Sequence, residues 1–362
     1  MRITGVDVHH FPLTRKDREW RTSSYGANQV DAFAIELHTD EGITGVGGTS
    51  IMRIAGETAV GFVSLFNNLL APALIGKDPF DIEAIMAEVG RVCREPLRAH
   101  VGIDLALHDL MGKALNVPVY RLLGGAFRKE VPIIRMVGIK EPAAQARNAA
   151  DLVDEGYRYL KLKIGLDPEK DVQRVAAVRK AVGDDVVLTI DANGAYQPFE
   201  AIWVLRRLQP YGVAVAEEPT AAWDLDGQAR VRGASEIPIM ADQSANTAAD
   251  AIEVIKRQSA DVLAVKVCKT GGILATRKFL AVAEAANIPC HIGSTATTRL
   301  LEAGSIHVAV TMKEIPHGCE LGEFEGLEGD AAEGLSVKDG RLSVPEAPGL
   351  GVTFLRERVA VR

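Results

Sequence analysis

Four cysteines in 362 residues, Cys93, Cys268, Cys290 and Cys319, never form a Cys-x-x-Cys pair. Neither a disulfide framework nor a thiolate zinc site is expected, and the reducing cytoplasm is the expected compartment. No run approaches about 18 uninterrupted apolar residues, the length a membrane span needs. The opening MRITGVDVHH lacks the apolar stretch of a signal peptide. Positive charge is not in excess either. At a net charge of −7 there is no electrostatic reason to expect nucleic acid or an anionic membrane as partner. What is present is ordinary for a globular protein: 47% apolar and 25% charged residues. The length is enough for a sizeable core and predicts about two domains.

The first part reads as mixed α+β. Residues 2–10 and 32–38 alternate as strands, DEGITGVGG (40–48) turns into another, and a helix-rich stretch follows over about 56–115. VPVYRLLGGAF (117–127) carries border punctuation. From Val131 onward, short apolar runs alternate with helices. Lys163, Asp191, Glu217, Asp242, Lys266 and Ser294 end successive runs at intervals of 28, 26, 25, 24 and 28 residues. Equal βα units of this length predict a parallel (β/α) barrel. Seven units are visible up to Thr311, and His317–Leu321 is a candidate eighth strand. KDGRLSVPEAPGLGV (338–352) reads as a hairpin that returns to the first domain. The expected division is 1–125, 126–325 for the barrel, and 326–362 for the returning segment.

Active sites of such barrels lie at the C-terminal ends of the strands. Five consecutive strands here end in charged residues set in apolar sequence: Lys161 and Lys163, Asp191 with Asn193, Glu217, Asp242, and Lys266. One acidic residue after a strand is commonly a helix N-cap or a solvated loop residue. Three at the same place on neighbouring strands point to a shared site. Lys161 and Lys163 share a face by the period-2 rule, and a buried parallel strand forces them into a polar interior. Lys269 reads as an ordinary loop cation. Three hard carboxylates without histidine or thiolate suit Mg²⁺. The second and sixth strands are diametrically opposite, so Lys163 and Lys266 would face opposite sides of a bound molecule. Lys161 and a divalent cation should depress the pKa of Lys163 and make it a base. The layout suits removal of a proton α to a carboxylate, with Mg²⁺ stabilising the enolate.

These motifs are the Lys161-Leu162-Lys163 pair, Asp191-x-Asn193, Glu217-Glu218-Pro219, Asp242 in ADQS, and Lys266 followed by Gly271-Gly272. With them the chain resembles the enolase superfamily, in particular the muconate lactonizing enzyme subgroup of the mandelate racemase/muconate lactonizing enzyme family. The resemblance covers nearly the whole chain. It implies an α/β fold, a modified (β/α)7β TIM-like barrel with an α+β capping domain. It further implies one Mg²⁺ per subunit on Asp191, Glu217 and Asp242. Lys163 and Lys266 would be the acid/base pair, assisted by Lys161 and Asn193. A homo-oligomer is expected. Gln243 departs from the glutamate of many relatives.

The expected substrate is a small carboxylate. The preferred reading is a racemase/epimerase or dehydratase of a small amino or imino acid, of hydroxyproline or proline betaine type. The alternatives are a muconate-type cycloisomerase and an N-acylamino acid racemase or dipeptide epimerase. Dipeptides are disfavoured because the family's Asp-x-Asp on the last strand is replaced by Cys319-Glu320-Leu321. Candidate substrate contacts are Trp20, Ser24 and Tyr25 on the first cap loop and Ile51 on the second. Ser294, Thr295 and Thr297 after the seventh strand are further candidates, or else cap the next helix. Glu320 and Glu323 either read a substrate cation or form a solvated acidic loop. An amidohydrolase would need His-x-His on the first strand, VPIIRMVGIK, which has none. A non-catalytic binding protein on this fold should lack some of the five ionisable positions.

Overall fold

The computed structural model describes residues 1–359 apart from Tyr25, Ala27, Met52, Ile54, Ala55, Glu95 and Pro96. The N-terminal part is an antiparallel sheet of β1 (Ile3–Arg15), β2 (Gln29–Thr39) and β3 (Thr44–Ser50), covered by helices. The helices include α1 (Ala59–Leu65), α2 (Ile82–Val92) and α3 (Leu97–Ala114). β2 is buried on both faces, which is why its middle is almost wholly apolar. Phe33, Ile35 and Leu37 join the cluster under the helices, while Ala32 and Ala34 join Phe11, Leu13 and the C-terminal Leu327. β3 is glycine-rich because α3 lies directly on it. A Cβ at Gly47 would collide with the Gly102 carbonyl of that helix.

Seven parallel strands follow in sequence order: β4 (Ile134–Val137), β5 (Tyr159–Lys163), β6 (Val187–Asp191), β7 (Val213–Glu217), β8 (Ile239–Ala241), β9 (Val262–Lys266) and β10 (Cys290–Gly293). Between them run α4 (Pro142–Asp154), α5 (Pro168–Val182), α6 (Pro198–Leu208), α7 (Leu225–Ala234), α8 (Ala248–Arg257), the single turn α9 (Val267–Thr270) and α10 (Ile273–Ala285), with α11 (Arg299–Ala309) after β10. Local sequence starts these helices where the strands require. Proline sits at the first position of α4, α5 and α6, and Asp167 and Thr247 cap α5 and α8.

The eighth position of the ring is filled by Cys319 and Glu320 through isolated parallel bridges to Ile133 and Gly293. Ile134 N–H donates to Cys319 O at 2.8 Å and Glu320 N–H to Ile292 O at 3.0 Å. The fold is thus an α/β barrel of seven βα units plus one strand-like segment under an α+β cap. Inside it, Val215, Met240, Val262 and Ala264 form an apolar layer. By the period-2 rule, Glu217, Asp242 and Lys266, two residues further on, face the same interior at the C-terminal end.

The chain returns to the cap through β11 (Leu327–Glu328), paired with Arg15 and Thr14 of β1. The 338–352 segment forms its hairpin against the start of the barrel before it reaches the cap. Its strand Arg341–Ser343 pairs with Val337–Lys338 on one side and with Glu130–Pro132, ahead of β4, on the other. Beyond that, Leu350 N–H reaches Asp109 of α3 at 2.7 Å. Among the described residues no helix is long and apolar enough to cross a membrane.

Candidate active site

Strand register brings Lys163, Asp191 and Glu217 side by side on β5, β6 and β7. Asp242 follows β8 directly, and Lys266 ends β9, four strands from β5. Asp191, Glu217 and Asp242 are all at most 3% exposed, and Lys161, Lys163 and Lys266 at most 5%. Lys161 Nζ lies 2.8 Å from Glu217 Oε1 and 3.1 Å from Asp191 Oδ2, and also bonds Glu320. Lys163 Nζ donates to Asp191 Oδ2 at 2.5 Å. Lys266 Nζ donates to Asp242 Oδ2 at 3.0 Å and lies 3.9 Å from Glu217 Oε1. Ammonium groups therefore fill the gaps between the carboxylates. Burial alone would push the Lys161 ammonium down, but Asp191, Glu217 and Glu320 outweigh it and hold it well above the usual lysine range. Lys266 is likewise held up against its burial, chiefly by Asp242 and Glu320. Burial raises Glu217 to about 8, reinforced by the charge of Asp191.

The residues present fit a hard divalent cation. The donors are three carboxylates on adjacent strand ends with no sulfur or imidazole among them, and cationic groups already sit between them. Another group, Asp7, Glu36 and His38 on the cap sheet, has ligand atoms within 4.8 Å of one another. There His38 bonds Asp7, while Glu36 bonds His9 and Arg356, which is a self-satisfied ion-pair network.

Asn193 has a positive φ of 49° and grips Asp191 twice, through its N–H at 2.8 Å and its Nδ2 at 3.1 Å. Lys269 corrects the loop-cation expectation. Its Nζ holds Asp242 at both the carbonyl and Oδ1, each at 2.5 Å. The solvated-loop expectation for Glu320 and Glu323 is also overturned, since both are buried. Glu320 faces Lys161, and Glu323 takes Arg135 at 2.7 Å and lies 4.0 Å from Arg15. Sequence reasoning had no access to this, because the closing segment is too short to carry a strand period.

Trp20 is buried beneath the Arg15 guanidinium, 3.7 Å from the ring centroid, and beside Gly138 at the end of β4. Ser23, on the same loop, donates to Ala192 O at 2.8 Å. Ser24 is exposed, and Tyr25 lies outside the described residues. Ile51 belongs to the cap's apolar cluster with Phe33 and Phe62. Ser294 and Thr297 are buried and Thr295 partly so. None of the three caps α11, since Thr298 does so by accepting from Leu300 N–H.

A barrel whose strand ends hold three carboxylates between opposed lysines, under an α+β cap, defines an α/β-barrel enzyme with a buried, charged site. Family models agree. "Mandelate racemase / muconate lactonizing enzyme, N-terminal domain" matches residues 8–124, and "Enolase C-terminal domain-like" matches 144–358. The chain belongs to the mandelate racemase/muconate lactonizing enzyme family of the enolase superfamily, and is an enzyme of its racemase, epimerase and cycloisomerase class. It is 34% identical to muconate cycloisomerase 1 of Rhodococcus opacus over 362 residues, 98% of this chain and 95% of that protein. The dipeptide epimerase of Enterococcus faecalis, solved with Mg and L-Leu-L-Tyr, superposes with a TM-score of 0.93 at 34% identity, covering 98% and 100% of the two chains. The N-succinyl Arg/Lys racemase of Bacillus cereus gives 0.95 at 29% identity, covering 100% and 99%. These relatives correct the preferred substrate reading. They support the alternatives, cycloisomerase, N-acylamino acid racemase or dipeptide epimerase, over hydroxyproline or proline betaine.

Proposed function

We propose that the protein racemises or epimerises an N-acylated amino acid by moving the proton α to its carboxylate, with Mg²⁺ held by Asp191, Glu217 and Asp242. The observation that carries the reaction type is the pair Lys163 and Lys266, on strands four apart in the ring, flanking the three carboxylates. When bound, the cation supplies positive charge to the substrate carboxylate and engages the protein carboxylates that otherwise pair with the lysines. Lys163 Nζ takes the proton from one face of the α-carbon, and Lys266 Nζ delivers one to the other. Lys161, fully buried, balances Asp191, Glu217 and Glu320 and stays protonated. Asn193 fixes the orientation of Asp191.

The substrate class is inferred from the last barrel segment. Glu320 is engaged by Lys161 and Glu323 by Arg135, so neither carboxylate is free for a substrate ammonium. A blocked amine suits that arrangement, as in the substrate named for the Bacillus cereus relative. A muconate-type dicarboxylate also lacks an amine and is the second reading, favoured by the Rhodococcus relative. The test is solvent-deuterium exchange with Mg²⁺ across N-acylamino acids, dipeptides and muconates, read by NMR and mass. Exchange at the α-carbon with inversion, fastest for N-acylamino acids, is expected. Lactone formation from a muconate without exchange of any amino acid would replace the first reading by the second.

A further inference from the structure

Glu218 follows the carboxylate-bearing end of β7, and three strand ends meet on it. Gly194 N–H, just past Asp191, donates to Glu218 O at 2.7 Å. Glu218 N–H donates to Met240 O on β8 at 2.9 Å. The Glu218 carboxylate in turn accepts from Asp242 N–H at 2.6 Å, from Ser244 N–H at 3.3 Å and from Ser244 Oγ at 3.0 Å, all on Oε2. One residue thus ties together the segments that carry Asp191, Glu217 and Asp242.

Two further observations mark the position. Glu218 has a φ of 38°, in the left-handed region that a residue with a Cβ rarely adopts. Such backbone persists only where its surroundings over-determine it, and it concentrates at functional sites. The side chain is fully buried, with Oε1 unpaired and no ion pair to a lysine or arginine among the described residues. The need for a grip is greatest at β8. That strand has three residues, and its ladder to β7 ends at Met240, two residues before Asp242. On its other side the ladder to β9 ends at Ala241, so Asp242 itself lies just beyond the sheet.

We propose that Glu218 is a positioning residue. Its carboxylate shapes the Asp242–Ser244 turn so that the Asp242 carboxylate stands with those of Asp191 and Glu217 as one cation site. This rests on the reading of those three residues as metal ligands. The role depends on length and acceptor geometry, so an amide of the same length should serve and a shorter acid should not.

The test is calorimetric titration of the full-length protein with Mg²⁺ and Mn²⁺, without substrate, alongside thermal unfolding in chelator. Glu218→Ala should weaken cation affinity by about 10–100-fold, the usual consequence of removing a group that orients a metal ligand. Glu218→Gln should stay within about threefold of the parent, and Glu218→Asp should resemble Glu218→Ala. If Glu218→Ala does not fold, the Gln and Asp variants carry the same comparison. Equal losses for Gln and Ala would overturn positioning in favour of charge alone. Unchanged cation affinity in Glu218→Ala and Glu218→Asp, with only the unfolding temperature lowered, would overturn it in favour of a purely structural role. Asp242→Asn is titrated in parallel. If it loses affinity while the Glu218 variants keep theirs, the ligand reading stands and the positioning proposal fails. If it binds as the parent does, both fail.

Discussion

Replacing Lys163 or Lys266 by alanine separates the two faces of the reaction. A positioned acid or base contributes about 10²–10⁴-fold to rate, or roughly 3–5 kcal/mol of barrel-held activation energy. The structure says whether such variants will fold well enough to test. In Lys163→Ala, Asp191 keeps Lys161 Nζ at 3.1 Å. In Lys266→Ala, Asp242 keeps Lys269 Nζ at 2.5 Å. Neither substitution leaves a buried carboxylate without a cation, so the stability loss should fall below the ~3–5 kcal/mol of a fully broken buried pair. The assay is ²H incorporation at the α-carbon, followed separately from each enantiomer of a turned-over substrate in D₂O with saturating Mg²⁺. Lys163→Ala should lose exchange by at least about 10²-fold from the enantiomer whose proton faces β5, and retain exchange without inversion from the other. Lys266→Ala should show the mirror pattern. Exchange of both enantiomers at the parent rate in both variants would refute the two-base arrangement.

Two further predictions concern buried charge. Lys161→Met removes an ammonium that pairs with Asp191, Glu217 and Glu320 together, and should cost ~3–5 kcal/mol in urea unfolding with chelator, part of it recovered by Mg²⁺; an unchanged midpoint would contradict the balancing role. Glu302 of α11 is raised to about 8 by its burial, although its carboxylate accepts from Gly322 N–H at 2.8 Å. Between the unfolded value near 4.5 and about 8 the folded state binds the extra proton, so its contribution to stability falls as pH rises through that window. Glu302→Gln should flatten that slope, and a slope identical to the parent's would show that Glu302 does not titrate there.

Much of the site was legible because barrel periodicity converts sequence spacing into position. The strand ends at Lys163, Asp191, Glu217 and Lys266 lie where equal βα units put them, and opposition of the lysines follows from strand order. What stayed hidden depends on side chains that cross between elements. Lys269 sits on a single helical turn after β9, and only the path of that turn brings it to Asp242. Whether Glu320 and Glu323 face the site or solvent stayed open in the sequence because the closing segment is only two bridged residues long, too short for alternation to assign an inward face. Cap-loop contacts such as Trp20 beside Gly138 depend on docking between the two halves of the chain, which no local pattern encodes. The 338–352 segment was legible as a hairpin, but the edge it pairs with, Glu130–Pro132, belongs to the start of the barrel.

Closure of the ring by Cys319 and Glu320 also has a consequence for folding order. Lys161 and Glu320, which meet inside the barrel, are 159 residues apart in sequence. Joining the ends of a flexible loop of that length costs roughly 4–5 kcal/mol of chain entropy, whereas each neighbouring βα unit closes a far shorter one. Local units should therefore assemble first and the ring last. Until then the seven strands form an open sheet whose two edges, β4 and β10, offer unpaired backbone to any other chain. The catalytic half of the molecule is thus most vulnerable to edge-to-edge association just before it becomes complete. The residue that ends this exposure, Glu320, carries a charge that only the lysine-lined interior can accept, so closure in a shifted register would strand that charge among apolar side chains.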